Sequence, residues 1–122
     1  MSRDSPDNPA RPDPGTRLCR IEDIGDPGAK GFRFRKDQAL FAGFLVRQGE
    51  AVVGYVDSCP HNGWPLAVFD DLYLTKPGDR ILCAAHGAVF RPDDGLCVGG
   101  PCAGDSLTPW AIEVVNGEVR TA

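Results

Sequence analysis

Cysteine and histidine fall together twice in this sequence, as Cys59-Pro60-His61 and as Cys83-Ala84-Ala85-His86-Gly87. Each pair offers one thiolate and one imidazole within a few residues, so two short loops supply four side chains able to hold metal. His61 and His86 are the only histidines in the chain, which leaves none for acid–base work elsewhere. Thiolate is a soft anionic ligand and imidazole a neutral one suited to zinc and iron, so the set fits either a zinc ion or an iron–sulfur core. Pro60 and Gly87 suit tight turns that would aim each pair at a common point. The bland alternative, buried cysteines beside unrelated histidines, needs both histidines to land next to a cysteine by accident.

The elements that must position these loops read as strands. Short apolar or alternating runs at Leu18–Ile21, Phe32–Arg35, Ala39–Arg47 and Ala51–Val56 precede the first pair. Phe32 and Phe34 alternate with Arg33 and Arg35, as on a half-buried strand. Gln48-Gly49-Glu50 marks a hairpin turn between the third and fourth runs. Ile81–Cys83 and Ala88–Phe90 flank the second pair, and Ala111–Val115 and Glu118–Arg120 close the series around Asn116-Gly117, a type I′ turn signal. No segment keeps a 3.6-residue apolar period over three turns, and 15 glycines with 11 prolines exclude a helical bundle. The expected fold is therefore all-β and antiparallel, a small sandwich or barrel.

Composition narrows the function. With 122 residues, 42% of them hydrophobic, the chain suits one core and one domain, expected over 17–122. Residues 1–16 carry Pro6, Pro9, Pro12 and Pro14 among polar side chains and read as a flexible tail. A net charge of −4, with basic residues scattered apart from Arg33, Arg35 and Lys36, argues against nucleic acid as a partner. The longest apolar stretch, Ala39–Val46, is too short to span a membrane. Met1-Ser2-Arg3-Asp4-Ser5-Pro6 lacks an apolar signal region, so a cytoplasmic location is expected. Five cysteines in a reducing compartment point to metal before disulfide.

Cys-x-His followed by Cys-x-x-His-Gly, each on a Pro- or Gly-bearing turn, resembles the Rieske-type [2Fe–2S] motif. Gly99-Gly100-Pro101, after the turn Pro92-Asp93-Asp94-Gly95, is similar to the glycine- and proline-containing third loop that covers the cluster in that family. The resemblance spans about Ala51 to Gly104 by motif and most of the chain beyond residue 17 by strand pattern. It implies a cluster-binding subdomain built from the two ligand loops and the Gly-Pro loop. It also implies one [2Fe–2S] cluster, with Cys59 and Cys83 on one iron and His61 and His86 on the other. Two thiolates neutralise the doubly positive oxidised core, whereas four would leave it doubly negative; the neutral site accepts an electron more readily. A zinc site could use the same four residues, although zinc spacing usually pairs Cys with Cys and His with His.

Two departures place the chain within that family. Respiratory and photosynthetic members carry an extra cysteine in each cluster loop, where this chain has Trp64 and Ala85, so their loop disulfide cannot form. They also place a serine and a tyrosine after the second histidine, where Ala88 and Phe90 stand here. The chain is thus most similar to the low-potential, ferredoxin-like branch: soluble Rieske ferredoxins and small proteins of oxygenase and reductase systems. The stretch from His61 to Cys83 is longer than usual, and an extra loop is expected around Asp70–Arg80.

The resemblance implies one-electron transfer as a soluble carrier with redox protein partners, a reductase or an oxygenase. A non-catalytic subunit or regulator within an oxidoreductase complex and a zinc-stabilised interaction module remain the alternatives. No nucleophile–base set or GxGxxG fingerprint is present, so the chain is expected not to be a catalyst itself. The histidine edge is the implied docking face, with Trp64, Pro65, Ala84, Ala85 and Pro101 around it. Trp64, Pro65 and Leu66 read either as a shield over the cluster or as an apolar rim. Asp70 and Asp71 read as loop surface or partner patch, and Arg91, Asp93 and Asp94 as a solvated turn. Cys97 and Cys102 are expected to pack beneath the third loop, and Cys19 to lie in the core.

Overall fold

The computed structural model describes residues 8–58, 66, 73–75, 78–83, 87–100 and 103–122. Among the described residues nine strands follow in order: β1 Arg17–Arg20, β2 Gly28–Lys36, β3 Ala39–Gln48, β4 Ala51–Val56, β5 Ile81–Leu82, β6 Val89–Phe90, β7 Cys97–Gly99, β8 Ile112–Val115 and β9 Glu118–Thr121. They form three antiparallel three-stranded sheets, ordered β1-β9-β8, β2-β3-β4 and β5-β6-β7. The only helical element among the described residues is a single 3₁₀ turn, Ile21–Asp23. The expected all-β, antiparallel class is the observed one.

The central sheet divides the molecule. Residues 41 to 46 of β3 are all buried, which explains why Ala39–Val46 is a continuous apolar run rather than an alternating one. Side chains of a strand point alternately to its two faces. On one face Phe41 and Leu45 join Val56, Trp110, Val119 and Cys19 against the β1-β9-β8 sheet. On the other face Phe44 and Val46 join Tyr55, Tyr73, Ile81, Cys83, Ala88 and Phe90 against β5-β6-β7. One sheet thus serves two cores, and Cys83 lies in the second of them.

Trp110 fills the first core. It meets Phe41, Phe32 and Phe34 edge-on, with centroids 5.3, 6.2 and 6.4 Å away. Gly43 makes room for it: a Cβ there would lie 2.5 Å from the indole ring. The segment ending in Trp110 is tied to β4, since Val56 N–H donates to the Thr108 carbonyl and Trp110 N–H to that of Gly54.

Several elements depart from the sequence expectations. β2 runs nine residues because it pairs with β3 from Gly28↔Arg47 to Lys36↔Ala39, so pairing carries the strand past the alternating Phe32–Arg35 core. β7 was not anticipated, since Cys97-Val98-Gly99 is too short and glycine-flanked to announce itself. Residues 8–16, expected as part of a flexible tail, lie against the domain. Asn8 and Ala10 are buried, Asn8 Nδ2 donates to the Leu40 carbonyl, and Gly15 N–H donates to that of Thr121. The Arg11 guanidinium sits 5.3 Å from the Phe41 ring centroid. Local composition argued for disorder because these partners lie far away in sequence.

Candidate metal centre

Cys83 follows directly on β5, and its side chain is fully buried. Its backbone N–H donates to the Ala88 carbonyl at 2.8 Å, and Gly87 N–H donates back to the Cys83 carbonyl at 2.9 Å. These two bonds tie Cys83 to Gly87 and Ala88 at the end of the β5–β6 hairpin. Gly87 has φ +72°, a left-handed conformation that glycine adopts without steric cost. Cys59, His61 and His86 lie outside the described residues, as do Trp64, Pro65, Asp70, Asp71, Ala84, Ala85, Pro101 and Cys102.

The flanks of the first loop are described, and they return to the same core. Asp57, just past β4, is 2% exposed. Its N–H donates to the Ala42 carbonyl at 2.9 Å, continuing the pairing with β3. Its carboxylate accepts from Leu66 N–H at 2.7 Å and from the Tyr73 hydroxyl at 2.8 Å. Leu66 is fully buried and shares the core with Cys83, so it belongs to the interior rather than to an exposed rim. Asp57 and Leu66, which flank the Cys59-Pro60-His61 segment, are thus joined by a hydrogen bond, and Leu66 belongs to the core cluster that holds Cys83.

The third loop lies against the second. Gly100 has φ +91°, and a Cβ there would sit 2.7 Å from the Cα and 3.1 Å from the amide nitrogen of Ala88. Only glycine permits backbone to lie on backbone this closely. Cys97 is buried below this loop, as expected, with its thiol donating to the Gly99 carbonyl at 3.1 Å. Cys19 is likewise buried, but in the other core, where burial first and then Asp23 push its thiol pKa up.

The surroundings are apolar at the points that matter for a redox centre. Ala88 and Phe90 are both fully buried and bring no hydroxyl into the core that holds Cys83. The charged turn sits farther out: Arg91 pairs with Asp94, and Asp94 Oδ1 accepts from Leu96 N–H at 3.0 Å. Beneath it the Tyr55 hydroxyl donates to the Pro92 carbonyl at 2.6 Å. Burial, reinforced by Asp94 and Asp93, pushes the Tyr55 pKa up to about 12. A buried thiol at Cys83, the Asp57–Leu66 bond across the flanks of the Cys59-His61 segment and the approach of Gly100 to Ala88 are compatible with a mixed thiolate–imidazole cluster.

The Rieske [2Fe-2S] domain model matches residues 16–116. This chain belongs to the Rieske [2Fe-2S] domain family. No curated protein matches the sequence. Among solved structures, the Rieske chain is similar to the complex of reduced oxygenase and oxidized ferredoxin in carbazole 1,9a-dioxygenase. That match has 25% identity and a TM-score of 0.66, covering 87% of this chain and 90% of that one. It also shares its fold with the ferredoxin of carbazole 1,9a-dioxygenase from Nocardioides aromaticivorans IC177 (18% identity, TM-score 0.67, 90% and 98% covered). The Sphingomonas yanoikuyae B1 ferredoxin is a third neighbour (20% identity, TM-score 0.64, 88% and 96% covered). The Rieske chain is accordingly a one-electron transfer protein with one [2Fe–2S] cluster as its cofactor. Membership in the family favours the cluster over the zinc-stabilised module.

Asp57, Tyr73 and the Gly100–Ala88 contact are the residues that sequence reasoning passed over. For Asp57 a signal existed. Val53, Tyr55 and Asp57 lie on one side of β4 and its extension, so an acid continues a buried face, and buried acids need partners. Tyr73 carried no local signal, because its partner is distant in sequence.

Proposed function

We propose that Cys59 and Cys83 hold one iron and His61 and His86 the other, and that the single domain 17–122 works as a soluble, cytoplasmic ferredoxin-like carrier. In this reading it passes single electrons between a reductase and an oxygenase and is not itself a catalyst. The observation that carries the proposal is the convergence in one core of buried Cys83 with Leu66, the residue that closes the Cys59-His61 loop. The similarity to a ferredoxin–oxygenase complex, over nearly the full length of both chains, supports the partner class. No helix among the described residues is long and apolar enough to cross a membrane.

The chain's own residues would do three things here. Cys83 would present a thiolate from a turn that its backbone hydrogen bonds hold rigid. Leu66, Ala88 and Phe90 would keep water away from that thiolate. Two thiolates and two imidazoles would give a neutral oxidised site, and the bound cluster supplies storage for one electron.

The test is ligand substitution in the purified holoprotein. Cys59→Ser and Cys83→Ser are each expected to abolish the visible spectrum, while Cys97→Ser leaves it nearly intact. Wild type is expected to contain about two irons and two acid-labile sulfides. It is also expected to be reduced by a ferredoxin reductase and reoxidised by an oxygenase. A bleached Cys97→Ser, or a coloured Cys59→Ser, would overturn the ligand assignment. Turnover of substrate by the isolated chain would overturn the carrier role.

A further inference from the structure

Asp57 precedes Cys59 by two residues, and the hydrogen bonds around it form a continuous path from Leu66 to the residue before Cys83. It is held from behind by its own N–H on the Ala42 carbonyl of β3, so its position is fixed by the central sheet. One carboxylate oxygen takes the N–H of Leu66, nine positions along the chain, and thereby closes the loop that carries Cys59 and His61. The other takes the hydroxyl of Tyr73. Tyr73 is itself immobilised: its ring stacks on Phe44 at 4.3 Å with 5° between planes. Gly31 leaves room for it, since a Cβ there would stand 2.7 Å from the Tyr73 hydroxyl. The Tyr73 carbonyl accepts from Leu82 N–H at 2.8 Å, in the residue before Cys83.

We propose that Asp57 is a positioning residue that locks the Cys59-His61 loop against the Cys83-His86 hairpin and so fixes the geometry and retention of the cluster. A buried carboxylate is costly without donors, and here both oxygens have one, so the side chain has a single low-energy arrangement. Two loops that must present four ligands to one centre each lose ordering entropy when they do so. A clamp built into the apo fold removes part of that loss before the ligands engage. Leu66 and Tyr73 lie at different points of the chain between the two cysteines, and Asp57 is hydrogen-bonded to both. It is the residue at which disturbance of one loop is passed to the other.

The inference rests on the proposed ligand set, and Cys59→Ser is therefore measured in parallel. Holoproteins carrying Asp57→Ala, Asp57→Asn and Tyr73→Phe are compared for the rate of bleaching in excess iron chelator and for the g-values of the reduced cluster. Asp57→Ala loses both acceptors and is expected to bleach at least tenfold faster than wild type, with shifted g-values. Asp57→Asn keeps shape and an oxygen for Leu66 N–H, and is expected to stay within about threefold of wild type. Tyr73→Phe removes one bond and falls between. Trp110→Ala, which loosens the other core, controls for general destabilisation and is expected to leave the g-values at wild type. Wild-type bleaching and g-values in Asp57→Ala, with a colourless Cys59→Ser, would overturn the clamp and spare the ligand assignment. A coloured Cys59→Ser would instead overturn the assignment. Should Asp57→Ala not fold, the order Asp57→Asn slower than Tyr73→Phe decides the matter, and the reverse order refutes the proposal.

Discussion

Gly100→Ala tests whether backbone contact between the third loop and the Cys83 hairpin holds the cluster end together. Two separable costs follow from the geometry. At φ +91° an alanine is strained by about 1–2 kcal/mol. Its Cβ would also lie 2.7, 3.1 and 3.3 Å from the Cα, N and Cβ of Ala88. Those atoms cannot swing aside like a side chain, because the Ala88 carbonyl is bonded to Cys83 N–H. Overpacking of this kind costs about 1–3 kcal/mol. The sum, about 2–5 kcal/mol, is a large share of the stability of a small domain. At about 4 °C per kcal/mol it lowers the unfolding midpoint by roughly 10–20 °C. Gly104→Ala is the internal control: φ is +95° but nothing lies within 4 Å of the added Cβ, so only the strain applies. Thermal unfolding followed by circular dichroism, with cluster absorbance read on the same sample, separates the two variants. Equal midpoints for Gly100→Ala and Gly104→Ala would refute the contact and leave only the backbone conformation.

Three further outcomes are expected. Hydrogen bonds to cluster sulfurs favour the reduced state, and the fully buried Ala88 and Phe90 supply none. The reduction potential should therefore lie low in the Rieske range of roughly −150 to +300 mV, and Ala88→Ser with Phe90→Tyr should raise it in direct voltammetry; no upward shift refutes this. Tyr55 has a folded pKa above its unfolded value, so its contribution is complete below about pH 10 and is lost as pH rises towards 12. Alkaline denaturation should therefore cost about 2 kcal/mol less in Tyr55→Phe across that window, and identical pH profiles would count against it. Trp110→Ala should destabilise the domain by about 3–5 kcal/mol in denaturant titration while the visible spectrum of the folded holoprotein is unchanged, since Trp110 lies in the core away from Cys83. A spectral change would show that the two cores are coupled through the central sheet.

Residue type and short spacing carry whatever can be decided locally, and in this chain that is a great deal. Two Cys-x-His-like pairs offer a candidate donor set because metal coordination selects side-chain chemistry, and Asn116-Gly117 and Gln48-Gly49-Glu50 define turns because backbone sterics act over a few residues. Alternation at Phe32–Arg35 marked a strand, and the absence of a helical period marked the class. The tertiary structure decided what depends on distant partners. It made β3 a divider with a core on each face, a role that an unbroken apolar run permits but does not specify. It drew residues 8–16 onto the Phe41 edge and the C-terminal strand, against their own composition. It brought Asp57 to Leu66 and Tyr73, and Gly100 to Ala88, contacts spanning 9, 16 and about a dozen residues. Donor chemistry is written in residue type and short spacing; contacts such as these are a matter of packing, and only the folded chain brings their parts together.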